Sequence, residues 1–178
     1  MIKLTADQLR HTIPLKEHLE EIKSKRRDIY FILDNVLDTY NVGGIFRLAD
    51  GLGVKKIYLC GETETPPNHR IKKASINTTE WVDWEYKETA KAAIDNLRST
   101  IDNLTVVAIE QDKRSVAYTE VDYQLPIAFV VGHESSGVVK ETLKACDVIA
   151  EIPMQGVNRS LNVIISLGIV TFHANKNF

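Results

Sequence analysis

The chain is poor in the features that announce most specialised proteins. Among 178 residues there are two cysteines, Cys60 and Cys146, far apart and without a CxxC spacing. Neither a disulfide framework nor a zinc site is expected from them. No apolar stretch approaches the ~18 residues that cross a bilayer, the longest being Val163–Thr171. An excess of one charge is lacking as well: 22 basic against 24 acidic residues leave a formal charge of −2, so no global basic field points to nucleic acid. Any RNA contact must rest on local patches. The five histidines, His11, His18, His69, His133 and His173, show no metal-ligand spacing, and no metal is expected. Charges throughout the first ten residues argue against a signal peptide, so a cytoplasmic protein without membrane contact is expected.

What is present is an ordinary globular composition, 44% hydrophobic and 26% charged, over a length that suits one domain. Five β-branched runs read as strands: Ile29–Val36, Lys55–Gly61, Leu104–Glu110, Pro126–Gly132 and Val148–Pro153. Several are apolar at nearly every position, as strands of a parallel sheet covered on both faces are. Helical spacing recurs between them at Asn41–Gly53, Tyr86–Ile101 and Ser136–Ala145. The alternation predicts an α/β domain with a parallel sheet over 29–178. Residues 1–28 are expected to form a helical extension: Thr5 and Gln8 suggest a capping box, and Pro14 opens a second helix carrying Leu15, Leu19 and Ile22. The segment Glu62–Glu80 reads as a long loop, a place where function or mobility concentrates.

In an open parallel sheet, ligands bind outside the carboxyl ends of the strands. Three sequences there do not look like plain connections. The first is Asn41-Val-Gly-Gly-Ile-Phe-Arg-Leu-Ala-Asp50, in which Asn41 reads as an N-cap, Gly43 and Gly44 admit a close neighbour, and Arg47 offers a fork for phosphate. A capped helix with a surface arginine would look the same. The second is Gly132-His-Glu-Ser-Ser-Gly137, where Glu134 serves either chemistry or helix capping. The third is Ile152-Pro-Met-Gln-Gly-Val-Asn-Arg-Ser-Leu-Asn-Val163. Ser160 there reads as the cap of a helix apolar almost all round, hence buried, which leaves Asn162 as a polar group in need of a partner.

Taken together and in this order, N-x-G-G-I-x-R-x-A, G-x-E-x-x-G and I-P-M-x-G-x-x-x-S-L-N-V resemble the three motifs of the SpoU family within the SPOUT methyltransferases. The resemblance runs from about Ile29 to Phe172, and Lys72–Trp81 is similar to the family's variable segment. His133, Ser135 and Ile164–Ile165 depart from the family pattern outside the motif-defining positions. The resemblance implies methyl transfer from S-adenosylmethionine to a ribose 2′-oxygen of RNA, on a fold whose C-terminal part is threaded into a deep trefoil knot. It implies cofactor contacts from Val131, Gly132, Ile152, Met154, Ser160, Leu161 and Asn162, with Glu110 a further candidate and with Ile152, Met154 and Leu161 flanking the adenine. Asn41, Arg47, Glu134, Ser160 and Asn162 match the family's catalytic positions. Members are homodimers that present the arginine across the interface. As a base an arginine is awkward, because it keeps its proton at neutral pH; a role in organising the ribose and its phosphate suits it better.

Phosphate contacts are expected from Lys25, Arg26 and Arg27 in the run Lys23–Arg27, from Arg70, Lys72 and Lys73, and from Arg159. Trp81 and Trp84 are either base-stacking or core residues. The compact size, without a recognisable RNA-binding domain before Ile29, favours transfer RNA over ribosomal RNA. Two other readings remain at this point. A dinucleotide-binding Rossmann protein would carry G-x-G-x-x-G after its first strand, whereas Gly51-Leu-Gly53 precedes a strand here. A catalytically silent RNA-binding module would have lost Arg47, Glu134 or Asn162, and all three are present.

Overall fold

The computed structural model describes residues 3–178, so the first two residues of the expected extension lie outside it. Seven parallel strands form one sheet: β1 (Arg27–Asp34), β2 (Val54–Cys60), β3 (Asp83–Lys87), β4 (Thr105–Ile109), β5 (Val116–Ala117), β6 (Ile127–Gly132) and β7 (Val148–Glu151). Their order is β3-β2-β1-β6-β4-β7-β5. The chain therefore walks outward from β1 to β3, crosses over, and later inserts β6 between β1 and β4, and β7 between β4 and β5. Among the described residues seven α-helices accompany the sheet: α1 (Ala6–His11), α2 (Lys16–Ser24), α3 (Thr39–Leu52), α4 (His69–Ser75), α5 (Ala90–Thr100), α6 (Lys140–Ala145) and α7 (Val163–Ala174).

The unbroken apolar character of β1 and β6 has a direct cause. Successive side chains of a strand point to opposite faces. Phe31, Leu33, Phe129 and Val131 enter one core with α3 and α7, while Tyr30, Ile32, Ala128 and Val130 enter another with α5 and α6. Both faces are covered, so neither alternate set can be polar.

Several expected boundaries move. Ala90 rather than Tyr86 lies at the start of α5, with Thr89 capping it, because Asp83–Lys87 is taken up as the edge strand β3. β5 is a two-residue edge strand, too short and too exposed to stand out as an apolar run. The stretch 62–80 is not a bare loop: Asn68 caps α4 through the amides of Arg70 and Ile71, and a 3-10 turn follows at Thr78–Glu80. In the N-terminal extension the capping box of Thr5 and Gln8 is formed, and Asn77 Nδ2 donates to the carbonyls of Leu9 and Thr12, tying the C-terminal end of α1 to the domain.

Two caps and one helix boundary are corrected. Asp38 caps α3, accepting from the Tyr40 amide, and Asn41 lies inside the first turn. α6 begins at Lys140, so Ser136–Val139 precedes the helix rather than forming part of it. Asn162, not Ser160, caps α7, accepting from the Ile164 amide at 2.9 Å. α7 is also not buried all round: Ile165 and Phe172 are 52% and 54% exposed. None of the described helices is long and apolar enough to cross a membrane.

Candidate active site

The main cleft, about 540 Å³, opens beyond the carboxyl ends of β4, β6 and β7, beside the crossover of the sheet. All eight residues expected to touch a cofactor line it: Glu110, Val131, Gly132, Ile152, Met154, Ser160, Leu161 and Asn162. Glu134 and Arg159 line it too, with Gln111, Glu151 and Ser166, which sequence reasoning missed. Ser160 is exposed in the segment that leads to α7.

Local backbone geometry builds the cleft floor. At the end of β6 the chain reverses through His133–Gly137, whose backbones exchange hydrogen bonds of 3.1 and 2.8 Å. Gly132 faces the backbone of Gly137 and Val138 so closely that any side chain there would collide with it. Gly137 adopts φ +70°, a left-handed conformation natural to glycine. Two carboxylates then hold the next residues: Glu110 accepts from the Val138 amide at 2.9 Å, and buried Asp34 accepts from the Val139 amide at 3.0 Å. Asp34 stands at the end of an apolar strand, and only its misplaced charge could have flagged it.

The glycine pair of the first motif serves packing. A side chain at Gly43 would meet Ala74 Cβ at 2.6 Å and the Ile71 carbonyl at 2.7 Å, so Gly43 lets α4 lie against α3. Gly44 similarly admits Ile164 of α7. The close neighbour that these glycines admit is thus another helix of the same chain.

Side chains from all three motifs meet in one hydrogen-bonded chain. Glu134 accepts from the amides of Leu37 and Asp38 at 3.2 and 3.1 Å and from Asn41 Nδ2 at 2.8 Å. Asn41 Oδ1 in turn accepts from Asn162 Nδ2 at 3.0 Å. Burial pushes the Glu134 carboxyl up, but the Asn41 amide and the backbone amides outweigh it, and the net effect lowers its pKa below the ordinary 4.5. Glu134 is thereby an ionised anchor that pins the start of α3 to the β6 turn.

Arg47 differs from these. It is exposed on α3, does not line the cleft, and makes no hydrogen bond or ion pair among the described residues. The basic run Lys23–Arg27 is likewise split by the fold. Arg26 is not a phosphate contact: its side chain is 3% exposed and donates to Asp50 and to the carbonyls of Val54 and Trp81. Arg27 bonds Asn175 and sits 5.2 Å over the Phe178 ring, and Lys25 pairs with Glu21. Arg70, Lys72 and Lys73 are exposed on α4 without ion pairs among the described residues. Trp81 is buried, whereas Trp84 is half-buried. Among the described residues no cluster of His, Cys, Asp or Glu could hold a metal.

The SpoU rRNA methylase family model matches residues 28–172. The chain belongs to that family. It is 31% identical over 166 residues to a tRNA (guanosine(18)-2′-O)-methyltransferase of Aquifex aeolicus, covering 91% of this chain and 75% of that protein. It is 28% identical to the Thermus thermophilus protein of the same name, over 90% of this chain and 81% of that one. The crystal structure of the A. aeolicus TrmH/SpoU tRNA modifying enzyme superposes with a TM-score of 0.78 at 28% identity, over 90% and 82% of the two chains. An AdoMet-bound rRNA methyltransferase from Sinorhizobium meliloti gives 0.77 at 28% identity, although this family member spans only 60% of that chain.

Proposed function

We propose that the protein transfers a methyl group from S-adenosylmethionine to a ribose 2′-hydroxyl of RNA, with transfer RNA the favoured substrate. The observation that carries this is one cleft at the carboxyl ends of β4, β6 and β7, lined by the second and third motifs, with Asn41 of the first hydrogen-bonded to Glu134 and Asn162 in that lining. The donor set suits the cofactor. Ile152, Met154 and Leu161 form an apolar wall for a flat heteroaromatic ring, and the carboxylates of Glu110, Glu134 and Glu151 surround the cleft with negative charge that favours a sulfonium. S-adenosylmethionine supplies a methyl group already activated by that positive sulfur.

The chain's own residues then position and stabilise. Arg47, charged and unengaged, grips the ribose and its phosphate and offsets charge that develops on the 2′-oxygen. Asn41 and Asn162 hold the edge of the cleft in register, and Glu134 holds Asn41. Glu134 is a poor proton acceptor, because its lowered pKa and three N–H donors make its carboxylate a weak base. Ser160 and Arg159 lie at the open rim, where substrate enters.

A homodimer completes this reading. Tyr40, Gly44 and Arg47 share one face of α3 by their spacing, and Tyr40 is 52% exposed. Exposed Leu37, Ile165 and Phe172 extend the apolar surface toward α7, which a second copy would cover while receiving Arg47 at its own cleft. The return of the chain after β7, past the ends of β4 and β6 to pack α7 on α3, fits the knotted thread the resemblance implies. Residues 1–28 are an added extension, and a cytoplasmic place of action goes with the substrate.

The test is direct. The purified chain is incubated with S-adenosylmethionine carrying a labelled methyl group and with unmodified tRNA or rRNA, and the digested nucleosides are resolved by mass spectrometry. A 2′-O-methylnucleoside from the tRNA, formed by a dimer in sedimentation, is the expected result. Label on a base, or no transfer to any RNA by a protein that binds the cofactor, overturns it.

A further inference from the structure

We propose that a second cleft, between α4 and Trp84, holds an unpaired nucleotide of the substrate RNA; the proposal rests on RNA being the substrate. This cleft, about 390 Å³, is lined by Pro66, Pro67, His69, Lys72, Glu80 and Trp84. It shares no residue with the transfer cleft. Its size lies in the range of small-ligand sites, roughly 300–1,000 Å³.

Three properties point to a nucleotide. Trp84 packs part of its indole on the core and borders the cleft with the rest, which offers a base an aromatic surface held at one position. Lys72 lies on the rim, with Arg70 and Lys73 on the same helix turn, all exposed and without ion pairs among the described residues. By contrast Lys23 pairs with Asp83, Arg26 with Asp50, Lys55 with Asp28, and Lys56 and Lys87 with Glu85. The α4 charges are thus left for an outside anion, as phosphate contacts require. Glu80 supplies the discrimination. Its carboxylate repels a bare polyanion or an acidic peptide at that spot, yet accepts N–H groups from the edge of a base.

The subsite is mechanically joined to the transfer machinery. Gly43 brings α4 into backbone contact with α3, the helix that carries Asn41 and Arg47. A nucleotide held against α4 would therefore fix the RNA relative to Arg47 without touching the cleft.

Fluorescence isolates the cleft. Trp81→Phe leaves Trp84 as the sole tryptophan and costs no hydrogen bond, because the buried Trp81 Nε1 has no partner to lose. Unmodified tRNA transcript should change Trp84 emission, and polyphosphate at equal charge should not. Lys72→Ala and Trp84→Leu should each raise KM for the transcript by roughly 5-fold or more, with kcat and cofactor binding unchanged. Should Trp84→Leu misfold, exposed Lys72→Ala decides by the same readout. A transcript that binds and is methylated with Trp84 emission and the KM of Lys72→Ala unaltered overturns the subsite and leaves the methyltransferase reading standing. Equal quenching by polyphosphate also overturns it. A transcript that neither binds nor accepts methyl overturns both.

Discussion

Glu134 and Arg47 both belong to motifs of the family, yet the fold treats them oppositely. Glu134 has three N–H donors within 3.2 Å and ties two elements together. Arg47 has no partner among the described residues and stands exposed on α3. The same contrast separates the basic runs, with Arg26 sealed between Asp50 and two carbonyls and Lys72 open at a cleft rim. A polar side chain already satisfied within the protein is scaffold. One left unsatisfied at the surface of a rigid element is available to a substrate.

The sharpest test of that division is Arg47→Lys. Keeping the charge while losing the planar fork should lower methyl transfer by about 10²-fold or more. The melting temperature and cofactor affinity should stay put, since nothing in the fold leans on the guanidinium. Near-normal turnover in single-turnover assays would reduce Arg47 to an electrostatic anchor.

Arg26→Ala should behave in the reverse way. Its loss strands Asp50 and the carbonyls of Val54 and Trp81, at a cost of about 2–3 kcal/mol. For a chain of this length that lowers the melting temperature by roughly 5–10 °C. RNA affinity measured well below the melt should not change. A folded, stable variant with weakened RNA binding would put Arg26 back on the RNA surface.

Asn162 straddles the two classes, and its effects are the smallest. Asn162→Ala removes the α7 cap, worth about 1 kcal/mol, and the bond to Asn41. Asn162→Asp keeps an acceptor for the Ile164 amide but loses the donor to Asn41. Calorimetry should find only the alanine variant less stable, by roughly 2–4 °C. Both should transfer methyl about tenfold more slowly, the scale of one positioned hydrogen bond. An aspartate variant with full activity would leave Asn162 a cap alone.

Much of the sheet is legible in the residues alone. β1, β2, β4, β6 and β7 each bury apolar side chains, and such burial writes itself into composition. β3 and β5 are not legible, because an edge strand is half-exposed and needs no apolar code: Asp83–Lys87 has no fully buried residue. The caps elude local reading for a related reason. Asp38, Asn41, Ser160 and Asn162 can all cap a helix chemically, and which of them does so depends on where the chain turns into it.

The residues of the candidate site are legible as a set, since their motifs lie at the ends of predicted strands. Their division of labour is not. The bond from Asn41 to Glu134 spans 93 positions and the one from Asn162 to Asn41 spans 121. Local sequence determined the buried strands, the helix between β1 and β2 and the polar residues at the strand ends, because propensity and one-sided burial act within a few residues. Only the tertiary structure decided that Glu134, Asn41 and Asn162 satisfy one another, that Arg26 is sealed while Arg47 is free, and that Gly43 makes room for a helix. Hydrogen-bond partnership and close packing are contests among groups the chain brings together from far apart, and their outcome exists only once it has folded.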